Sequence, residues 1–288
     1  MDKLLLHPST QHQLKALIQG KPHAILISGS SGMGKETIAK TLISNILGKR
    51  TAWSEAAVLE ISPGESGGIS IDEIRRIRDF LSRKTTGEGD IRRIVLVLDA
   101  HTMAHEAQNA LLKTLEEPPA DTMVILTTDD LTSLKHTIRS RSQQLLVLPV
   151  DEESAMRFFK EFGYTEESIR TAYYMSGARA GLMSALLAQD SGHELVGAIQ
   201  EAKNLLNMTA YERLNQVDAL SKQKEQTSLL LNGLECVVSS GLHQAAQKAN
   251  ETQTRKFYDL SRLVHDARDK LHKNINPKLV LTRLCLEM

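Results

Sequence analysis

Apolar and polar residues follow two different rhythms along the chain. Ala24 to Ser28 (AILIS) is an unbroken apolar run stopped by Gly29, and Lys35 to Leu47 then carries Ile38, Ala39, Leu42, Ile43 and Ile46 at helical spacing before Gly48. This reads as strand, loop, helix. Val58 to Ile61 reads as the next strand, followed by a turn at Pro63, Gly64, Gly67 and Gly68. Beyond it, Ser70 and Glu73 have the spacing of a capping box, Ile69 and Ile74 that of a hydrophobic staple, and Ile77 and Leu81 continue the apolar stripe. Ile94 to Leu98, Met123 to Leu126 and Leu145 to Leu148 are continuous apolar runs, which suits strands buried on both faces. The pattern predicts an α/β nucleotide-fold core with a five-stranded parallel sheet.

After Pro149 the strand signals stop. Residues 151 to about 187 read as short helices, one carrying Met156, Phe158, Phe159 and Phe162 up to Gly163, the next ending at Gly177. A further all-helical stretch runs from about residue 193 to the end, with a second capping box at Thr209 and Glu212 and one late interruption at Pro277. The expected domains are an α/β core over 1–149, a small helical domain over 150–190 and a larger one over 191–288. The Met, Phe and Tyr residues of the middle domain and the stripe Leu230, Leu231 and Leu234 are expected to be core. There is no internal repeat or low-complexity tract.

Composition narrows the classes. The 288 residues are 41% hydrophobic and 24% charged, ordinary for a globular chain. Lys+Arg 35 balances Asp+Glu 35, which excludes coating of nucleic acid by bulk charge and leaves room only for a local basic surface. Cys236 and Cys285 are the only cysteines, too few for a disulfide framework or a Cys-pair zinc spacing. No apolar run approaches ~18 residues, and MDKLLLHPST is too short in its apolar part for a secretory signal, so a cytoplasmic protein without a membrane partner is expected.

The candidate chemistry starts at GSSGMGK, Gly29 to Lys35, which matches G-x-x-x-x-G-K between a predicted strand and a predicted helix. Glycines there let backbone N–H groups converge on phosphate oxygens, and Lys35 reaches the β and γ phosphates. Glu36 stands where such a loop normally has the hydroxyl that holds magnesium, and Thr37 comes one position late. The carboxylate either adds negative charge beside the phosphates, points outward, or meets the metal through water. The bland alternative is a glycine-rich turn that caps a helix and binds nothing. Asp99, at the end of IVLVLD, has the place of a magnesium-holding acid. Next to it stands Ala100, which cannot orient an attacking water; His101 is either a stand-in or a polar surface residue. Both departures point to ATP or ADP with magnesium in a degenerate site, with little or no hydrolysis.

Longer stretches carry a family resemblance. AQNALLKTLEEPPADTMVILTT (Ala107 to Thr128), LKHTIRSRSQQL (Leu134 to Leu145), HAILISG, ISIDEIRRIRDFL and NINPKLVLTRL together resemble the AAA+ subunits of the bacterial DNA polymerase III clamp loader, nearest the delta-prime type, whose second strand motif also tends to read D-A. The resemblance implies an AAA+ core, a helical lid and a helical collar through which five subunits assemble. It places Gly29, Gly32, Gly34, Lys35 and Thr37 in the phosphate loop, Asp99 at the metal-binding acid, Thr128 at the first sensor and Arg179, in SGARAG, at the second. Arg141, in Ser140-Arg141-Ser142 where the family has Ser-Arg-Cys, is implied to be an arginine finger for the neighbouring subunit's ATP. The family's four-cysteine zinc module is absent, since residues 49–60 contain no Cys, so no zinc is expected.

The implied partners are the delta and gamma/tau subunits, the sliding clamp and primer-template DNA. A gamma/tau-type ATPase motor is the rival reading, and a stand-alone AAA+ adaptor a third, disfavoured by the collar-like NINPKLVLTRL. The bland reading of Arg141 is a surface arginine paired with a carboxylate, and that of Lys35 an ion pair with Asp99. Arg75, Arg76, Arg78, Arg83 and Lys84 could follow a phosphate backbone, but the interleaved Asp72, Glu73 and Asp79 favour a solvated helix face.

Overall fold

The structure, a computed structural model, describes residues 4–48, 54, 56–64, 67–83, 90–190 and 192–288, with backbone alone at 272. It divides into two compact units, Met1–Val150 and Asp151–Met288.

The first unit runs α1 (Pro8–Gly20), β1 (Ala24–Ser28), α2 (Lys35–Leu47), β2 (Val58–Ile61), α3 (Ile71–Ser82), β3 (Arg93–Val97), a 3-10 turn (Ala100–Thr102), α4 (His105–Glu116), β4 (Thr122–Thr128), α5 (His136–Ser140) and β5 (Gln143–Leu146). The five strands are parallel in the order β2-β3-β4-β1-β5. Parallel neighbours require crossovers, and the crossover helices cover both faces of the sheet. Alternate strand residues therefore feed two cores. Leu26, Val95, Val97, Val124 and Leu126 meet Ile74 and Ile77 of α3 and Leu111 and Leu115 of α4. Ile25, Ile27, Ile94, Leu96, Met123 and Ile125 meet Leu14 of α1 and Ile38 and Leu42 of α2. Each such buried Leu or Ile contributes about 1.5–3 kcal/mol, enough to explain why central strands carry no polar face.

Both capping boxes form. The Ser70 N–H donates to Glu73 Oε2 at 2.6 Å and the Glu73 N–H to Ser70 Oγ at 3.3 Å, with Ile69 and Ile74 buried on either side. Thr209 and Glu212 repeat the arrangement at 2.7 and 3.3 Å.

The fifth strand departs from expectation. It forms over Gln143–Leu146, two residues before the predicted run, and lies at the sheet edge with only Leu145 of its four residues buried. An edge strand needs one inward residue per turn of the pleat, so the two glutamines are accommodated. Helix α1 was not anticipated: its one narrow buried stripe is Thr10, Leu14 and Leu17. Its Thr10 hydroxyl donates to Leu146 O at 3.0 Å and accepts the Leu148 N–H at 3.1 Å, tying the helix to the outgoing end of β5.

The second unit is helical throughout its described residues: α6 (Glu152–Lys160), α7 (Glu166–Ser176), α8 (Ala180–Ala188), α9 (Glu194–Asn207), α10 (Ala210–Leu220), α11 (Lys224–Gln247), α12 (Glu251–His272) and α13 (Pro277–Glu287). Helix α11 runs through its middle, against α7, α9 and α12. Leu230, Leu231 and Leu234 pack with Val264, Leu281 and Leu284, as the stripe predicted. Phe159 is buried, but Phe162 is 51% exposed, contrary to a core role, because it follows the last turn of α6. Helices α9 and α11 touch backbone to backbone: a Cβ on Gly233 would lie 2.4 Å from Ala198 O.

Candidate functional site

In a parallel sheet the loops after the strands gather on one edge, together with helix N-termini. Gly29 to Lys35 leaves β1 there, Asp99 follows β3 by two residues and Thr128 ends β4. Within the loop Gly32 and Gly34 have φ of 82° and 85°, the left-handed region that costs a side chain about 1–2 kcal/mol. Met33 between them is buried and pins the loop to the core. Gly34 is the N-cap of α2 and no side chain caps that helix, so its first N–H groups face the loop as a general anion cradle.

Lys35 opens α2 with its side chain only 6% exposed. Its Nζ donates to Ser30 O at 3.1 Å and makes an ion pair with Asp129. The ion-pair partner is thus Asp129, not Asp99 as the bland sequence reading had it. Glu36 turns outward to Lys40 at 2.5 Å, and Lys40 also lies 3.5 Å from Glu60. The Glu36 hydrogen bond outweighs burial and holds the Lys40 ammonium above its ordinary value. Thr37 is exposed on the helix. The loop therefore fits a phosphate, while neither residue after Lys35 takes the place of a magnesium-holding hydroxyl.

Asp99 sits at φ 48°, its N–H donating to Thr127 Oγ1 at 2.9 Å. Burial first, and the charge of Asp129 second, push its carboxyl above the ordinary range, with His101 and Lys35 pulling the other way. Ala100 is 0% exposed, turned into the core beneath the sheet, so the position after the acid offers neither a polar group nor an opening. The Asp129 N–H donates to His101 Nδ1 at 3.4 Å, which occupies that ring nitrogen. Thr128 is fully buried; its hydroxyl donates to Asp130 O at 2.9 Å and accepts the Asp130 N–H at 3.2 Å, closing its own loop.

Arg141 lies on the opposite edge. Gln143 at the start of β5 is level with Ile25 of β1, so Arg141 precedes the strands while Gly29 follows them. At ~3.3 Å per residue they are roughly 20 Å apart along the strands. Its Nη2 is 2.9 Å from Glu116 Oε1 and its Nη1 donates to Thr137 O at 3.3 Å, with the side chain 36% exposed. Arg179 belongs to the second unit, where Nε donates to Ser176 O at 2.5 Å and Nη2 to Cys236 Sγ at 2.7 Å. Burial raises the Cys236 thiol and Arg179 opposes it.

The structure thus gathers the glycine loop, Lys35, Asp99 and Thr128 on one edge and keeps Arg141 away from them. Sequence reasoning missed Asp129 and Glu116. The register Ser28↔Thr128 sets residue 129 level with the start of the loop, so strand order was the signal for Asp129. Glu116 sits in LLKTLEEPP, but nothing local ties it to Arg141. On α3, Arg75 pairs with Asp72 at 2.7 Å, as a solvated face would; Lys84 lies outside the described residues. Among the described residues no group of three or more His, Cys, Asp or Glu is placed to hold a metal ion, and no helix is long and apolar enough to cross a membrane.

The family described as DNA polymerase III, delta subunit, matches residues 7–151. The delta' subunit of DNA polymerase III from Haemophilus influenzae is 31% identical over 216 residues, covering 69% of this chain and 63% of that protein. The gamma subunit from Buchnera aphidicola is 28% identical over 238 residues, covering 75% of this chain and 65% of that protein. The chain thus spans just under two thirds of the length of these relatives. A solved DNA polymerase III gamma subunit-related protein from Thermotoga maritima shares the fold, with TM-score 0.52 and 20% identity over 96% of this chain and 97% of that one. The chain belongs to the family described as DNA polymerase III, delta subunit.

Proposed function

We propose that the chain is a delta-prime-type stator: a subunit with little or no ATP hydrolysis of its own that lends Arg141 to the ATP site of a neighbour during sliding-clamp loading. The observation that carries this reading is the place of Arg141, half-exposed on the edge of the sheet remote from its own phosphate loop. A guanidinium there cannot neutralise charge at its own loop and has solvent before it. The neighbour's ATP supplies the phosphoryl group, and Arg141 meets the charge that develops as it transfers. To do so it exchanges Glu116 for phosphate oxygens, a modest change for a partly exposed pair.

The chain's own loop, Gly29, Gly32, Gly34, Lys35 and Thr37 with Asp99, is proposed to hold ATP or ADP with magnesium without firing it. Buried Ala100 and the outward Glu36 support that. Thr128 and Arg179, the proposed sensors, reach a nucleotide only by breaking their present bonds. Partners are the delta and gamma/tau subunits, with the clamp and primer-template DNA met in the complex, at work in the cytoplasm; residues 150–190 act as lid and 191–288 as collar. A gamma/tau-type motor draws support from the Buchnera relative, but Ala100 leaves it without a residue to orient water.

Reconstitution with delta and gamma/tau subunits tests the reading. The complete assembly is expected to show DNA-stimulated ATPase activity, and Arg141→Ala to depress it while gel filtration finds the same complex. Unchanged turnover removes the finger. Steady turnover by the isolated chain, lost in Lys35→Ala, favours the motor.

A further inference from the structure

The phosphate loop is closed by an anion of the protein's own. We propose that Asp129 gates this site: its carboxylate occupies Lys35 as a phosphate oxygen would, so a nucleoside di- or triphosphate enters only by displacing it. The inference rests on the loop being the nucleotide site proposed above and adds what controls entry.

The two partners are unequal. Lys35 is 6% exposed, rooted in the first turn of α2 and bonded to Ser30 O, so it has nowhere else to go. Asp129 is 30% exposed and reaches water without further rearrangement. The movable member is the acid. Its backbone is held from both sides, by His101 Nδ1 on its N–H and by the Thr128 to Asp130 turn around it, so displacement is a side-chain swing and not a loop unfolding.

Charge makes the gate effective. Asp129 and Glu36 raise the Asp99 carboxyl while Lys35 lowers it, so these charges share one edge, and Asp129 is the acid paired with the lysine directly. An incoming polyphosphate therefore finds the one buried cation of the loop already satisfied. Once Asp129 swings out, Lys35 and the Gly32/Gly34 cradle present positive charge to the phosphates.

Binding of N-methylanthraniloyl-ADP to the full chain, with magnesium at fixed salt, tests the gate in wild type, Asp129→Asn, Asp129→Ser, Glu36→Gln and Lys35→Ala, each checked for folding by circular dichroism. Asp129→Asn, and Asp129→Ser if the first does not fold, are expected to bind about tenfold tighter, the scale of one charge-assisted hydrogen bond released. Glu36→Gln, which removes an equal charge not bonded to Lys35, is expected to change the Kd by less than about threefold. Without nucleotide, amine labelling of Lys35 read by mass spectrometry is expected to rise in Asp129→Asn. An affinity unaltered in the Asp129 variants, or raised equally by Glu36→Gln, overturns the gate. If Lys35→Ala alone abolishes binding, the gate falls and the site stands; if Lys35→Ala binds as wild type, both fall.

Discussion

The two edges of one parallel sheet hold a basic residue each, and treat it in opposite ways. On the edge after the strands Lys35 is 6% exposed and its partner Asp129, just past β4, 30% exposed; on the edge before them Arg141 and its partner Glu116 are 36% and 49% exposed. A pair with one sealed member resists exchange because parting it strands that member's charge away from water, whereas a pair open on both sides can trade partners with little loss. Proximity of opposite charges is common to both; solvent access separates a closed site from an offered group.

That contrast can be broken at four points. The largest effect is expected from Arg141→Ala: at the neighbour's ATP site that Arg141 is proposed to serve in a reconstituted loader, turnover is expected to fall about 10³-fold, some 4 kcal/mol, in single-turnover hydrolysis. Next is Asp129→Ala, expected to lower unfolding free energy by about 2–3 kcal/mol in urea titration, since it leaves Lys35 buried with Ser30 O alone. The mirror variant at the open edge, Glu116→Ala, is expected to cost under about 1 kcal/mol and to leave stimulated turnover intact. Equal losses from these two would erase the distinction between the edges.

The smallest effect concerns Asp99. Its carboxyl is raised in the folded chain, so folding is penalised once it ionises: stability falls as pH climbs from the ordinary carboxylate range through the raised value, and the penalty is complete above it. Asp99→Asn is therefore expected to raise the melting temperature at pH 7 and to make no difference at pH 3. A gain at both would trace the effect to packing.

The central strands were legible because each has an apolar run bracketed by Gly, Pro or charge, and because two buried faces leave polar residues only at the strand ends, as at Ser28, Thr122, Thr127 and Thr128. The capping boxes were legible because Ser70 and Glu73, or Thr209 and Glu212, make their bonds within four residues. Gln143 and Gln144 hid the true start of β5, since pairing with β1 is a backbone matter that an edge side chain does not report. Helix α1 hid for a related reason: two leucines and a threonine are its only fully buried residues, with Ile18 packed partly against the core. At the site, residue types with a fixed spacing were readable, from Gly29 to Lys35 and at Asp99. The pairings Lys35 to Asp129 and Arg141 to Glu116 join residues far apart in sequence, and only the order of strands brings them together.

Gly233 places two main chains in touch with no side group between them. At this point α9 and α11 lie as near as two main chains can come. Any carbon added at that position is a wedge driven against backbone, which has no side-chain rotamer by which to give way.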